Sequence, residues 1–179
     1  MTSDKYKNKY RIPTTRVSWC DYDGGEFFIT VCTKDRLHYF GEIIDGVMHL
    51  SEIGKYLDSQ IKITSEMRKD MNMDIPLYVI MPNHIHLIVA IGRNDFNRVC
   101  SPSDGNKFAP QSKNLASIIR GIKIATTTYA RKQGIIFDWQ ERYHDRIIRD
   151  YEERARIADY IQNNVARWSD DCFCSQAPM

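Results

Sequence analysis

Residues 78–91, Tyr78-Val79-Ile80-Met81-Pro82-Asn83-His84-Ile85-His86-Leu87-Ile88-Val89-Ala90-Ile91, decide the fold. Two apolar runs flank a Pro-Asn turn signal, so they read as two strands joined tightly as antiparallel neighbours. Successive side chains of a strand point to opposite faces, which puts His84 and His86 on one face, about 7 Å apart along the backbone. Ile85, Leu87, Val89 and Ile91 fall on the other face and can enter a core, leaving the histidine face free for chemistry. Two imidazoles so placed can share one metal ion; they can equally be satisfied polar groups of an ordinary strand, and the spacing alone leaves both readings open.

Working outward from that stretch, Glu26-Phe27-Phe28-Ile29-Thr30-Val31-Cys32-Thr33 follows a Gly24-Gly25 turn signal and is rich in aromatic and β-branched residues, which predicts a core strand. Residues 38–43 and 47–50, interrupted by Asp45-Gly46, predict a small hairpin. Ser51 is a plausible N-cap for a first helix to about Met71, with Ile53, Tyr56, Leu57, Ile61 and Thr64 near helical spacing. Beyond the histidine strand, residues 92–113 turn polar and predict a mobile loop. Leu115, Ile118, Ile119, Ile122, Ala125 and Tyr129 then mark the buried face of a second helix ending near Gly134. Its other side carries Arg120, Lys123, Arg131 and Lys132, either a solvated face or a phosphate-contacting one. Residues 139–149 predict a last strand or extended segment whose aromatic and arginine residues suit base stacking and phosphate contact, although Trp139 suits a core equally. A third helix runs from about Tyr151 to Arg167 with Ala158, Ile161, Val165 and Trp168 as its apolar stripe. The resulting order predicts an α+β fold, with helices packed on one face of a mainly antiparallel sheet.

The chain has 179 residues, 42% hydrophobic and 27% charged, which suits one globular domain. Its net charge of +2 does not announce a nucleic-acid partner, but the first 16 residues carry Lys5, Lys7, Lys9, Arg11 and Arg16 against Asp4 alone. That segment reads as a basic arm able to lie along a phosphate backbone, or as a solubilising tail. Five cysteines without a C-x-x-C pair argue for reduced thiols rather than a disulfide framework, and Cys172 and Cys174 are a weak metal signal. With neither an apolar leader nor a run of roughly 20 apolar residues, the expectation is a soluble cytoplasmic protein with no membrane partner. The domain plan is an arm at 1–16, one domain at 17–170 with a flexible loop near 92–113, and a tail at 171–179.

Two neutral imidazoles leave positions on a divalent ion open for water or a phosphate oxygen, as a Lewis acid acting on a phosphodiester requires. Asn164 offers a hard amide oxygen suited to Mg²⁺ or Mn²⁺ as a third ligand. Tyr160, four residues earlier on the same helical face, would place a phenol beside that metal, where a polarised phosphate could be attacked to leave a phosphotyrosine link. Taken by itself Tyr160 is one of ten tyrosines and reads as well as a helix-surface or core residue.

Met81-Pro82-Asn83-His84-Ile85-His86, Trp139-Gln140 with Arg142-Tyr143-His144-Asp145 and Ile148-Arg149, and Tyr160-Ile161-Gln162-Asn163-Asn164 together resemble the REP-associated branch of the single-tyrosine HUH (His, hydrophobic, His) transposases. The likeness runs from about Arg11 to Trp168 and includes Asn106-Lys107-Phe108 and Pro110-Gln111-Ser112. It implies a ferredoxin-like or RRM-like antiparallel sheet with the histidines on a central strand. It further implies metal-dependent cutting and rejoining of single-stranded DNA through a 5′-phosphotyrosine intermediate, on hairpin-forming repeat DNA. By position, Tyr160 would be the nucleophile and His84, His86 and Asn164 the ligands of a divalent ion, Mg²⁺ or Mn²⁺. Lys5, Lys7, Lys9, Arg11, Arg120, Lys123, Arg142 and Arg146 are the candidate DNA contacts. Where the family commonly has proline after the asparagine, this chain has Val165, which would let the last helix continue through Ala166 to Trp168. His144 is expected in a structural or DNA-contact role, and His38 and His49 at the surface.

The competing class is a catalytically silent or domesticated module binding structured DNA or RNA, against which the intact set His84, His86, Tyr160 and Asn164 counts. A histidine-triad nucleotide hydrolase would need a third histidine two residues after His86, where Ile88 stands. The chain is expected as a monomer or homodimer, with its active site built within one chain or between two.

Overall fold

The computed structural model describes residues 22–92, 113–171, 173 and 174. The basic arm with Lys5, Lys7, Lys9 and Arg11, nearly all of the polar loop, and Cys172 lie outside them. Nine elements follow in order: β1 (Gly25–Cys32), β2 (Gly41–Ile44), β3 (Val47–Leu50), α1 (Glu52–Met67), β4 (Met73–Ile80), β5 (His84–Ile91), α2 (Leu115–Lys132), β6 (His144–Ile148) and α3 (Tyr151–Asn163).

The histidine strand takes an inner position. Strand order in the main sheet is β4-β5-β1-β6, every neighbouring pair antiparallel, and β2 and β3 form their own hairpin. Setting that hairpin aside, the connectivity is the ferredoxin-like βαββαβ arrangement. The expected α+β class is what the chain adopts. All eight residues of β5 are buried, as an apolar run with both faces covered requires.

Register sorts the two faces. Ile85, Leu87, Val89 and Ile91 of β5 join Phe27, Ile29 and Val31 of β1, and α1 and α2 cover them with Leu57, Ile61, Leu115, Ile118 and Ile119 to make the main core. Ser51 caps α1 as expected, its hydroxyl accepting from Gly54 N at 3.1 Å. Gly54 is required there, because a Cβ would stand 2.1 Å from the Phe40 carbonyl oxygen. The helix stops at Met67, short of Met71, since Asn72 enters the left-handed region at φ 45° to turn the chain into β4.

α1 and α2 share one face as expected, whereas α3 lies across the histidine face. Its Ile157 and Ile161 pack on Phe28, Leu77, Val79, Ile88 and Ile148 in a second, smaller apolar cluster. Asp150 starts the helix by accepting from Glu153 N at 2.7 Å. After Asn163 the hydrogen bonds tighten, with Asn164 N donating to Ile161 O and Trp168 N to Val165 O, so Val165 to Trp168 do not prolong a regular α-helix.

The last strand is shorter than the extended segment read from residues 139–149. Trp139 makes only an isolated bridge to Thr33 and is buried against Phe40 and Phe137, with its indole N–H donating to Lys123 O at 3.2 Å. It is a core residue, not a stacking platform.

The small cluster under α3 sets the position of everything that helix carries. Ile161→Ala should cost about 2–4 kcal/mol in urea unfolding, through lost transfer energy and an incompletely closed cavity; a change under 1 kcal/mol would mean that α3 is held by other contacts.

Candidate functional site

His84 sits opposite Cys32 of β1, and His86 between Thr30 of β1 and Val79 of β4. The face expected to be free for chemistry is covered: His84 is 0% and His86 2% exposed. α3 brings Tyr160 over His86, and the turns after it bring Trp168 and Phe173 against His84, with ring centroids 6.1 and 4.6 Å away.

The two rings are oriented by their Nδ1 atoms. Asn83, fully buried, donates from Nδ2 to the Arg36 and Phe173 carbonyls at 3.0 and 2.9 Å. That fixes its amide, so Oδ1, 2.8 Å from His84 Nδ1, accepts from a protonated ring nitrogen and leaves a lone pair on His84 Nε2. Thr30 Oγ1 lies 2.8 Å from His86 Nδ1, which it can bond as acceptor or as donor. Phe28 stacks against the His86 ring at 5.2 Å.

The Nε2 atoms of the two histidines consequently face each other at 3.1 Å. Adjacent ligands of an octahedral ion with bonds of about 2.1 Å stand about 3 Å apart, so the pair has the spacing of two cis ligands. The Tyr160 hydroxyl is 3.2 Å from His86 Nε2 within the same chain, and its ring, 38% exposed, keeps one side open to solvent. Asn164 is 3% exposed, and its Oδ1 is buried without a hydrogen-bond partner. A buried orphan amide oxygen on the helix that carries Tyr160 is the hard donor a third ligand position needs. Among the described residues no group of three His, Cys, Asp or Glu gathers for a metal, and the donors that the structure brings together here are the two imidazoles.

The remaining candidates divide. Arg146 lies on the histidine face opposite Phe28 and is ion-paired with Glu153 of α3. Arg142 is exposed ahead of β6, and Arg120 is exposed on α2, across the sheet from the histidines. Lys123 turns inward, donating to Gln140 O. His144 is exposed opposite Thr30, and His49 is exposed on β3. His38 departs from its expected surface role, with its ring 5.7 Å from Trp168 and burial lowering its pKa. Thr30, Phe28, Arg36 and Phe173 were not readable as site residues; only the alternation of β1, which sets Phe28 and Thr30 on one face, hinted at two of them.

Electrostatics keep both rings neutral. Burial, aided by the neighbouring His86 and the Arg36 charge, pushes His84 down to about 2, and burial pushes His86 down to about 4. Neutral imidazoles with bare Nε2 atoms are what metal ligation demands. The unfolded chain protonates both below pH 6.5 and the folded chain does not, so stability is full above that pH and falls as the medium is acidified toward 4. In metal-free protein the urea midpoint should drop by the equivalent of roughly 2 kcal/mol per histidine between pH 7 and 4.5. A His84→Asn, His86→Asn double variant should lose that part of the dependence, and an unaltered pH profile in the variant would refute it.

No family model matches the chain. An uncharacterized protein of Haemophilus influenzae is 36% identical over 152 residues, 82% of this chain and 83% of that protein. Among solved structures, a REP-associated tyrosine transposase bound to a REP hairpin aligns with a TM-score of 0.57 at 19% identity, over 87% of this chain and 74% of that one. A Deinococcus radiodurans protein described as a candidate transposase aligns at 15% identity over 86% of this chain and 97% of its own, with a TM-score of 0.43, too low to argue from. The resemblance read from the histidine and tyrosine motifs thus holds at the level of the fold. The chain belongs to one family with the Haemophilus protein, and its fold is that of the REP-associated tyrosine transposase.

Proposed function

We propose that this chain is a metal-dependent, single-tyrosine HUH endonuclease and strand transferase acting on single-stranded DNA, with hairpin-forming repeat DNA as its substrate class. The observation that carries the reading is the placement of the Tyr160 hydroxyl 3.2 Å from His86 Nε2 in one chain, which favours an active site complete within a monomer. The transposase that shares the fold is itself described as bound to a REP hairpin.

In this reading His84 Nε2, His86 Nε2 and Asn164 Oδ1 hold a divalent ion, Mg²⁺ or Mn²⁺. That ion, when bound, supplies Lewis-acid polarisation of the scissile phosphate. Tyr160 attacks phosphorus: its oxygen forms the new P–O bond, its proton passes to solvent, and the bond to the 3′ oxygen breaks to release a 3′-OH. The product is a 5′-phosphotyrosine, and attack on it by another 3′-OH reverses the step and joins strands. Thr30 and Asn83 hold the ligand rings in the required tautomer, and Phe28 braces both His86 and Tyr160, the latter edge-on at 6.1 Å. The competing module, binding structured nucleic acid without cutting it, is favoured by the Phe173 ring seated on His84.

Wild-type protein incubated with Mn²⁺ and a pool of hairpin oligonucleotides bearing random single-stranded flanks should give a denaturant-resistant protein–DNA adduct that Tyr160→Phe lacks. Adduct in that variant would defeat the nucleophile assignment, and none in wild type with either metal would leave the binding module.

Thr30→Val should weaken Mn²⁺ binding by about 10- to 100-fold in calorimetric titration, and Thr30→Ser should restore it. Equal affinities in the three proteins would remove Thr30 from the site.

A further inference from the structure

A second concave region lies outside the tyrosine site. A groove of about 850 Å³, within the range of ligand pockets, opens between the turn Lys34–Arg36, one side of α2 and residues 138–141. Its lining includes Lys34, Arg36, Lys123 and Arg131 among cationic residues, and Asp35, Asp138 and Glu141 among acidic ones. Two of the cations are held in place: Lys34 Nζ is 3.6 Å from Asp138, and the Lys123 ammonium sits 5.8 Å over the Trp139 ring while donating to Gln140 O.

One wall of the groove is linked to the histidine site by short contacts. Cys32, at the end of β1, pairs with His84, and the chain leaves it through Thr33 into the turn that forms the groove wall. Asn83, which orients His84, donates to the Arg36 carbonyl at 3.0 Å. The Arg36 guanidinium lies 4.7 Å over the Phe173 ring, itself 4.6 Å from the His84 ring. Arg36 therefore stands between the ring seated on His84 and the groove it lines.

We propose that this groove seats the single-stranded DNA that continues from the scissile phosphate, a path that rests on the nuclease reading above. A single strand offers both chemistries the walls present. Its phosphates meet Arg36, Lys34, Lys123 and Arg131, and the exocyclic amino groups of its bases are donors that Asp138 and Glu141 accept. A duplex would commit one hydrogen of each of those amino groups to base pairing.

The test is metal-free binding of fluorescein-labelled dC12 to the full chain, by anisotropy at several salt concentrations. Lys34→Glu, Arg131→Glu should bind at least tenfold more weakly, and the slope of log K against log salt should shrink by about 1.4, two phosphate contacts at about 0.7 each. Lys34→Gln, Arg131→Gln should show a smaller loss in the same direction, and circular dichroism should show all three proteins folded. No measurable binding by wild type at 50 mM salt, or wild-type affinity and slope in the charge-reversed protein, would overturn the proposal. Both readings can fail separately: adduct formation with an unchanged salt slope removes the groove alone, and a reduced slope without any adduct removes the nuclease reading alone.

Discussion

Everything around β5 answers to the burial of two imidazoles side by side. A buried, unpaired polar nitrogen costs on the order of 1–3 kcal/mol, and each histidine has two. The fold meets that cost at Nδ1 with Thr30 and Asn83 and leaves the two Nε2 atoms pointing at one another. With the Asn83 amide leaving a lone pair on His84 Nε2, the 3.1 Å contact is a hydrogen bond when His86 carries its proton on Nε2 and an uncompensated pair of acceptors when it does not. The partnerless amide oxygen of Asn164, buried at the end of the opposing helix, is a polar cost that no contact there offsets.

Tyr160 reaches this pair because α3 is held in one place. Its apolar contact is small, Ile157 and Ile161 on a handful of sheet side chains. Polar contacts supply the register: buried Glu26 of β1 accepts from Arg154 Nε at 2.9 Å, and buried Glu153 pairs with Arg146 of β6 and accepts from Arg149 N. Buried ion pairs add little net stability against apolar replacements, yet losing one partner is expensive. Sliding α3 by one turn, about 5.4 Å, would strand Glu26 and Glu153 and carry the Tyr160 hydroxyl out of reach of His86. These pairs therefore act chiefly to specify where the helix sits.

What the sequence reveals of this follows from which interactions are local. Alternation in β1 and β5, the Pro-Asn turn, the Asp45-Gly46 hairpin and the Ser51 cap are set by near neighbours, and each is present in the structure. The placement of α3 is not local. Its apolar residues read as a stripe, but which face of the sheet receives it depends on Glu26, Phe28, Leu77 and Ile88, far away in sequence. Trp139 reads equally as core or surface because Phe40, one of its aromatic partners, arrives from a segment about a hundred residues earlier. The same holds for the site: His84-Ile85-His86 announces itself, whereas Thr30, Phe28 and Arg36 become site residues only through pairing of β1 with β5.

The antiparallel pairing of β1 with β5 is thus the step that turns a motif into a site. It sets Thr30 beside His86 and Cys32 beside His84, and it ends where His84 begins. Because β1 stops there, the following residues are released to build the wall carrying Lys34 and Arg36 instead of extending the sheet. Strand length is set by the turn at Lys34–Arg36, with Asp35 at φ 53°. It places cationic side chains within one turn of the histidines while leaving the imidazoles themselves in a dry, neutral setting.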